Sequence, residues 1–185
     1  MSGRQKQRER VETALAAHLL QTGLARTSLR QLAQAAGVSD RMLLYYFADK
    51  AEALACATQR VAADLAGHVA GAIEADQRLP VIALMRGAVA VTTRPDTRPY
   101  MRLWVEIVAA AARKEAPFVE IADQVMAGFQ QWAEHHLDID DAEERRSVAA
   151  MAIALIDGIA IVDICRGPAL AGRAADAISA LAKGD

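Results

Sequence analysis

Residues 28–47 read SLRQLAQAAGVSDRMLLYYF, two short apolar patterns joined at Gly37. Ser28 suits a helix N-cap, and Gln31 stands three residues later, as a capping box requires. The first helix should span about Leu29 to Ala36. Gly37 can adopt positive φ without a Cβ clash, so the chain can turn sharply there. Ser39 can then cap a second helix over about Asp40 to Tyr46. A helix–turn–helix has this layout: one short helix braces a second that enters the DNA major groove. That groove is about 12 Å wide and admits a helix. Leu32, Ala36, Val38 and Leu43 supply the apolar contacts of the bracing pair, and Ala33 is small where the helices approach. The alternative is an ordinary helical hairpin within a bundle.

The surrounding sequence is helical throughout. Apolar residues recur at three and four, and no long run alternates apolar with polar. A first helix is expected over about Gln5–Gln21, with Val11, Leu15 and Leu19 inward and Gly23 closing it. Lys50 opens a long helix reaching about Ala75, and Pro80 begins another that ends near Thr93. RPDTRP, with Pro95 and Pro99, reads as a connector. Further helices are expected over about Tyr100–Lys114, Pro117–His136, from DIDDAEE to Cys165, and from Pro168 onward. The fold class is therefore all-α with about nine helices. A head over residues 1–47 is followed by a helical body over 48–185.

Of 185 residues, 54% are apolar and only 4% aromatic, and alanine is abundant, which favours close-packed helices. Cys56 and Cys165 stand far apart, form no ligand spacing and point to a reducing compartment. The opening MSGRQKQRERVE is basic and polar with no apolar core behind it, so a cytoplasmic location is expected. Residues 148–165 could mimic a membrane span. They carry Asp157 and Asp163, each costing about 2.5–3.5 kcal/mol near a bilayer centre, which favours a buried helix of a soluble protein. Net charge is −2 but uneven. Residues 1–50 hold eight Lys/Arg and four acids, whereas the remainder holds thirteen and nineteen. That asymmetry suits an amino end facing nucleic acid.

The stretch TSLRQLAQAAGVSDRMLLYYFADKAEAL, residues 27–54, resembles the TetR family of bacterial transcription regulators. The matching features are Thr27 before the first helix and the turn Ala36-Gly37-Val38-Ser39. Tyr45-Tyr46-Phe47 close the recognition helix, and Lys50 opens the next one. By position, the resemblance implies that Thr27, Ser28 and Arg30 lie near phosphates, where a helix N-terminus itself attracts anions. Ser39, Asp40, Arg41 and Met42 would face base edges, with Arg41 suited to the two acceptors of guanine. Tyr45, Tyr46 and Lys50 would contact the backbone. The family usually has tyrosine at the position of Leu44, and leucine can only touch a thymine methyl or pack. Arg4, Lys6, Arg8 and Arg10 form either a phosphate-tracking arm or a solvated tail.

The body offers a surface for a homodimer on a palindromic operator. Val148, Met151, Leu155, Ile159 and Val162 form one stripe of the eighth helix, and Ile153, Ile156, Ala160 and Ile164 another. The ninth adds Leu170, Ala174 and Ile178. The resemblance implies that these last two helices pair with their copies, and that the body holds a small-molecule effector. Met85, Val89, Met101, Trp104, Val108, Met126 and Phe129 are the candidate lining, and their character suits a mostly apolar ligand. Met and aromatic residues at helical spacing more often form plain core than line a cavity. Arg102 and Glu106, four apart, should pair on a helix face. His68 and Asp157 are the candidate buried polar groups, and Cys56, with no basic neighbour in sequence, reads as a core thiol.

No HExxH, Walker loop, GxGxxG or GxSxG is present, and no metal ligand set or cofactor is expected. The sequence therefore points away from an enzyme. It points to a DNA-binding transcriptional regulator, a repressor released from its operator by a small ligand. The alternative is a helical DNA-binding dimer that acts constitutively without a sensing pocket.

Overall fold

The computed structural model describes residues 3–24, 27–73 and 76–181. Among these the chain forms nine α-helices: α1 (Gly3–Thr22), α2 (Leu29–Ala35), α3 (Asp40–Tyr46), α4 (Lys50–Ala70), α5 (Val81–Thr92), α6 (Arg98–Ala112), α7 (Phe118–His136), α8 (Ala142–Arg166) and α9 (Pro168–Leu181). The fold is all-α, as the periodicity predicts. Helix ends mostly fall within two residues of expectation, and two of the differences have a local cause. α4 stops at Ala70, because Gly67 and Gly71 each cost a helix about 1 kcal/mol relative to alanine; residue 75, its expected end, lies outside the described residues. α6 begins at Arg98, so Pro99 falls in its first turn, where a missing N–H costs nothing. Residues 182–185, expected to continue α9, also lie outside the described residues.

The chain divides into two compact units, Met1–Asp64 with Arg102–Val125, and Leu65–Met101 with Met126–Asp185. The sequence boundary at residue 47 marks the end of α3, but the first unit continues into α4. Buried Ala53, Leu54 and Ala57 carry the apolar face of α4 forward from the head.

In the first unit α1 packs on α2 and α2 on α3. Val11, Leu15 and Leu19 of α1, Leu32 and Ala33 of α2, Leu43 of α3 and Phe47 are all buried. With seven residues each, α2 and α3 are too short to persist alone, so their ends carry unusual weight. The Ser28 hydroxyl oxygen accepts from Gln31 N–H at 3.2 Å, and the Gln31 side chain accepts from Ser28 N–H at 2.8 Å. Ser39 caps α3 by accepting from Met42 N–H. Each such cap stabilises by about 1 kcal/mol. Gly37, at φ +66°, closes α2 with two bonds: Val38 N–H to Ala33 C=O and Gly37 N–H to Gln34 C=O. That paired closure reverses the chain within two residues.

In the second unit one apolar cluster gathers Ile73, Leu84, Ala133, Leu137 and Ala149, and another gathers Val89, Ile159 and Ala171. The buried alanines of α8, Ala149, Ala152 and Ala160, leave room for α5 and α9 to pack on it. The linkers are held by backbone groups and guanidinium groups. Leu79 donates to His136 C=O and accepts from Asp138 N–H, while Arg78 donates to the carbonyls of Leu137 and Ile139. Among the described residues the deeply buried carboxylate is Asp163, not the expected Asp157, which is half-buried. The Asp163 side chain is 2% exposed and takes two 2.8 Å bonds from Arg98 across 65 residues of sequence. Burying that carboxylate is tolerable only because both oxygens are paired. His68, also expected to be buried, is exposed and lies edge-on to Tyr100.

By length and composition alone α8 could cross a membrane. Its Asp163–Arg98 pair and the packing of α5 and α9 against it fit a helix buried among other helices.

Gly37→Ala should cost about 1 kcal/mol, read as a lower thermal midpoint. A Cβ there meets nothing within 4 Å, so the whole cost is left-handed backbone strain. Arg98→Met leaves the buried carboxylate unpaired and should cost roughly 3 kcal/mol in urea unfolding; adding Asp163→Leu should recover most of it.

Candidate nucleic-acid interface

The anchored face of α3 leaves its opposite face clear. Leu43 and Phe47 point inward, whereas Asp40, Arg41, Met42, Leu44 and Tyr45 are exposed. Tyr45 is the most open of the large hydrophobic side chains among the described residues, at 56%. A helix presented this way can enter a groove without rearrangement. Asp40 sits in the first turn of α3, where its charge complements the helix dipole. Arg30 and Arg41 make no ion pair among the described residues, so both guanidinium groups remain available. Leu44, which replaces the expected tyrosine, is exposed at 45% rather than packed.

Two positions differ from the sequence reading. Thr27 is buried, and its hydroxyl donates to Leu24 C=O at 2.7 Å, so it shapes the turn before α2 instead of offering a free hydroxyl. Ser28 remains exposed, and its oxygen is engaged in the cap. Tyr46 is half-buried with Tyr45 edge-on to it, which holds the Tyr45 ring upright. Lys50 is exposed at the start of α4.

The basic amino end is helical and its cations divide by role. Arg4 lies over the Tyr45 ring, 4.7 Å from the centroid, and so joins the exposed face of α3. Arg8 is consumed inside the first unit. It bonds Glu12 at 2.9 Å, Glu52 at 3.3 Å and the Cys56 sulfur at 3.5 Å, and it lies over the Phe47 ring. The bond to Cys56, then that to Glu12, raises the Arg8 pKa above its ordinary value despite partial desolvation. Cys56 therefore has a basic neighbour after all, brought from 48 positions away. Glu52 also accepts from Ala48 N–H at 2.6 Å, while Asp49 accepts from Glu52 N–H. The Asp49–Glu52 spacing was a readable signal for the start of α4; the tie to Arg8 was not.

Glu106 differs most from expectation. No ion pair joins it to Arg102 among the described residues; its carboxylate accepts from Leu24 N–H at 2.6 Å. The bond ties α6 to the α1–α2 turn within the first unit.

The candidate ligand residues divide between the two compact units, Trp104 and Val108 in the first and the others in the second. Met85 and Val89 line a groove of about 180 Å³ with Ile82, Arg86, Ile159 and Ile178. Met101 is buried, Trp104 and Phe129 are half-buried, and Val108 and Met126 are exposed. Of the candidate dimer residues, Met151 is exposed at 48%, and Val148, Leu155 and Leu170 are half-buried. Ile159 instead fills the chain's own core, with Val162, Ala174 and Ile178 packed on it. The exposed line on α8 runs through Met151, Ala154, Gly158 and Ile161. No group of three metal-ligating side chains occurs among the described residues.

Residues 13–55 match the family model described as bacterial regulatory proteins, tetR family. A search by sequence among curated proteins finds no match. Solved structures share the fold over nearly the whole chain. A TetR-family transcriptional regulator from Cytophaga hutchinsonii aligns with TM-score 0.77 and 15% identity, over 100% of this chain and 96% of that one. A transcriptional regulator from Rhodococcus sp. Rha1 aligns with TM-score 0.74 and 21% identity, over 91% of each. A proposed transcriptional regulator from Saccharomonospora viridis, in complex with choline, aligns with TM-score 0.73 and 14% identity, over 97% of this chain and 96% of that one. The family-model match over residues 13–55 and the all-helical fold shared beyond it agree with the resemblance read from residues 27–54.

Proposed function

We propose that the protein is a homodimeric transcriptional regulator that reads a palindromic operator and is released from it by a small, mostly apolar ligand. The functional head is residues 1–47 and the functional body residues 48–185. The observation that carries the reading is the exposed face of α3. Arg41, Met42, Leu44 and Tyr45 stand clear on a helix held from behind by Leu43 and Phe47. Arg41 would read a base edge, while Ser28, Arg30, Tyr45, Lys50 and Arg4 would follow phosphates. Such a protein acts in the cytoplasm and catalyses nothing.

A single head reads one half-site, so two-fold pairing is needed to span two, spaced by about 34–36 Å or a multiple. The open apolar line of α8 supports a second copy as its partner. A Cβ at Gly158 would meet nothing within 4 Å, leaving space for a helix to approach closely. Release by a ligand is supported more weakly. The α5–α8–α9 groove is mostly apolar, with Arg86 and Asp176 in its lining, and a neighbour of this fold was solved with choline. At about 180 Å³ the groove is smaller than the roughly 300–1,000 Å³ of ordinary ligand sites. That observation favours the second reading, a constitutive DNA-binding dimer.

Duplexes enriched from a random-sequence library by the purified chain test the reading directly. Arg41→Ala should weaken the selected duplex at least tenfold and blur one base position, because a bidentate guanine contact carries about 1–3 kcal/mol of discrimination. Arg30→Ala should weaken all duplexes alike and lower the log–log salt slope by about one. A chain that enriches no duplex, or binds with no salt dependence, is not this regulator. Ligand control predicts that some member of a broad apolar panel lowers DNA affinity while raising the thermal midpoint; constitutive action predicts neither.

A further inference from the structure

The turn between α1 and α2 decides where the DNA-facing helices begin, and it is held by a residue far away in sequence. α1 closes at Gly23, φ +72°, with Gly23 N–H donating to Leu19 C=O at 2.8 Å. The next residue, Leu24, belongs to no helix, so both its backbone groups need partners from elsewhere. Glu106 of α6 takes the N–H at 2.6 Å, and the Thr27 hydroxyl donates to the C=O at 2.7 Å. Thr27 immediately precedes Ser28, the cap that starts α2. α2 in turn passes directly through the Gly37 turn into α3. The carboxylate of Glu106 thus stands at the head of a short covalent and hydrogen-bonded chain ending at the exposed helix.

The seat of that carboxylate explains Gly23 a second time. A Cβ on residue 23 would lie 2.3 Å from one Glu106 oxygen and 2.8 Å from the other. No side chain fits there while the carboxylate is in place. Positive φ and this close approach both require glycine, and they are independent requirements.

We infer that Glu106 is a positioning residue for DNA binding: it fixes the α1–α2 turn through Leu24 N–H and thereby sets the seat of α2 and α3, without touching the duplex itself. The DNA arm of this inference rests on the proposed function; the backbone arm does not. A hydrogen bond from an amide to a carboxylate is stronger than a neutral one, so one side chain suffices for the task.

Amide hydrogen exchange by NMR on the full chain reads the latch directly. In Glu106→Ala the Leu24 amide should exchange about tenfold faster, with the Gly23 amide, bonded to Leu19, unchanged. Glu106→Gln keeps an acceptor oxygen and should restore Leu24 protection to within about threefold of the wild type. Gly23→Ala should expel the carboxylate and expose the Leu24 amide as Glu106→Ala does, although Glu106 is still present. On the library-selected duplexes, well below each variant's thermal midpoint, Glu106→Ala should bind about tenfold more weakly and Glu106→Gln near wild type. Unchanged Leu24 exchange in Glu106→Ala overturns the latch. Faster exchange with unchanged DNA affinity overturns the positioning role. A wild-type chain that enriches no duplex instead overturns the proposed function, while the exchange data still judge the latch.

Discussion

Two seven-residue helices cannot hold themselves together in water, and the first compact unit is organised around that constraint. Each of α2 and α3 has fewer than two full turns of internal hydrogen bonds. Their persistence comes from outside the helices: the Ser28 capping box, the Ser39 cap, the Gly37 closure, and the burial of Leu32, Leu43 and Phe47. Burying one large aliphatic or aromatic side chain contributes about 1.5–3 kcal/mol, more than a cap does. Burial therefore supplies most of the stability, while caps and turn set the geometry. An outward face results as a by-product. A helix this short that spends Leu43 and Phe47 on anchoring has to leave Arg41, Met42, Leu44 and Tyr45 free.

The arginines show why a count of charges is a blunt guide. The amino end carries an excess of cations, yet Arg8 is committed to Glu12, Glu52, Cys56 and Phe47. In the second unit Arg98 serves Asp163, Arg78 serves two loop carbonyls, and Arg145 donates to Ile139 and Asp140 C=O. The guanidinium suits this work because its planar fork of donors matches carboxylates and pairs of carbonyls. Among the described residues Arg30 and Arg41 have no ion pair, and Arg4 lies over Tyr45; these are the cations on which the proposed duplex contact rests.

Most of the head was legible because its signals are local. Ser28 with Gln31, Gly37 and Ser39 each act within four residues, and all three features occur where the pattern places them. Helix phases were legible for the same reason. What sequence could not give were partners separated by long stretches of chain. Glu106 looked like half of a pair with Arg102 because four residues make neighbours on a helix, yet it accepts from the half-buried N–H of Leu24, 82 positions away. Thr27 looked available because it sits beside a helix start, but the turn needed its hydroxyl inward. Ile159 shares a stripe with Met151 in the sequence, yet it is buried in the chain's own core while Met151 is exposed. α8 is apolar on nearly every side, so periodicity cannot say which side α5 and α9 cover.

That breadth of apolar surface on α8 has its own consequence. A helix apolar all round is expected to be buried all round. In the single chain only 28% of its most apolar stretch is buried, and Met151 and Ile161 are half open to solvent. A bilayer does not resolve the imbalance, because Asp163 is bound to Arg98 on α6, and the Ala149 and Ile159 face already has protein against it. A second protein surface does resolve it, and the outward line is suited to a helix. Ala154 and Gly158 are small where backbones would meet, and Met151 and Ile161 flank them. Small residues flanked by flexible or branched ones allow close approach and then fill the gaps beside it. The same helix that packs in the core of the second unit therefore carries the surface on which the proposed pairing with a second copy of this chain rests.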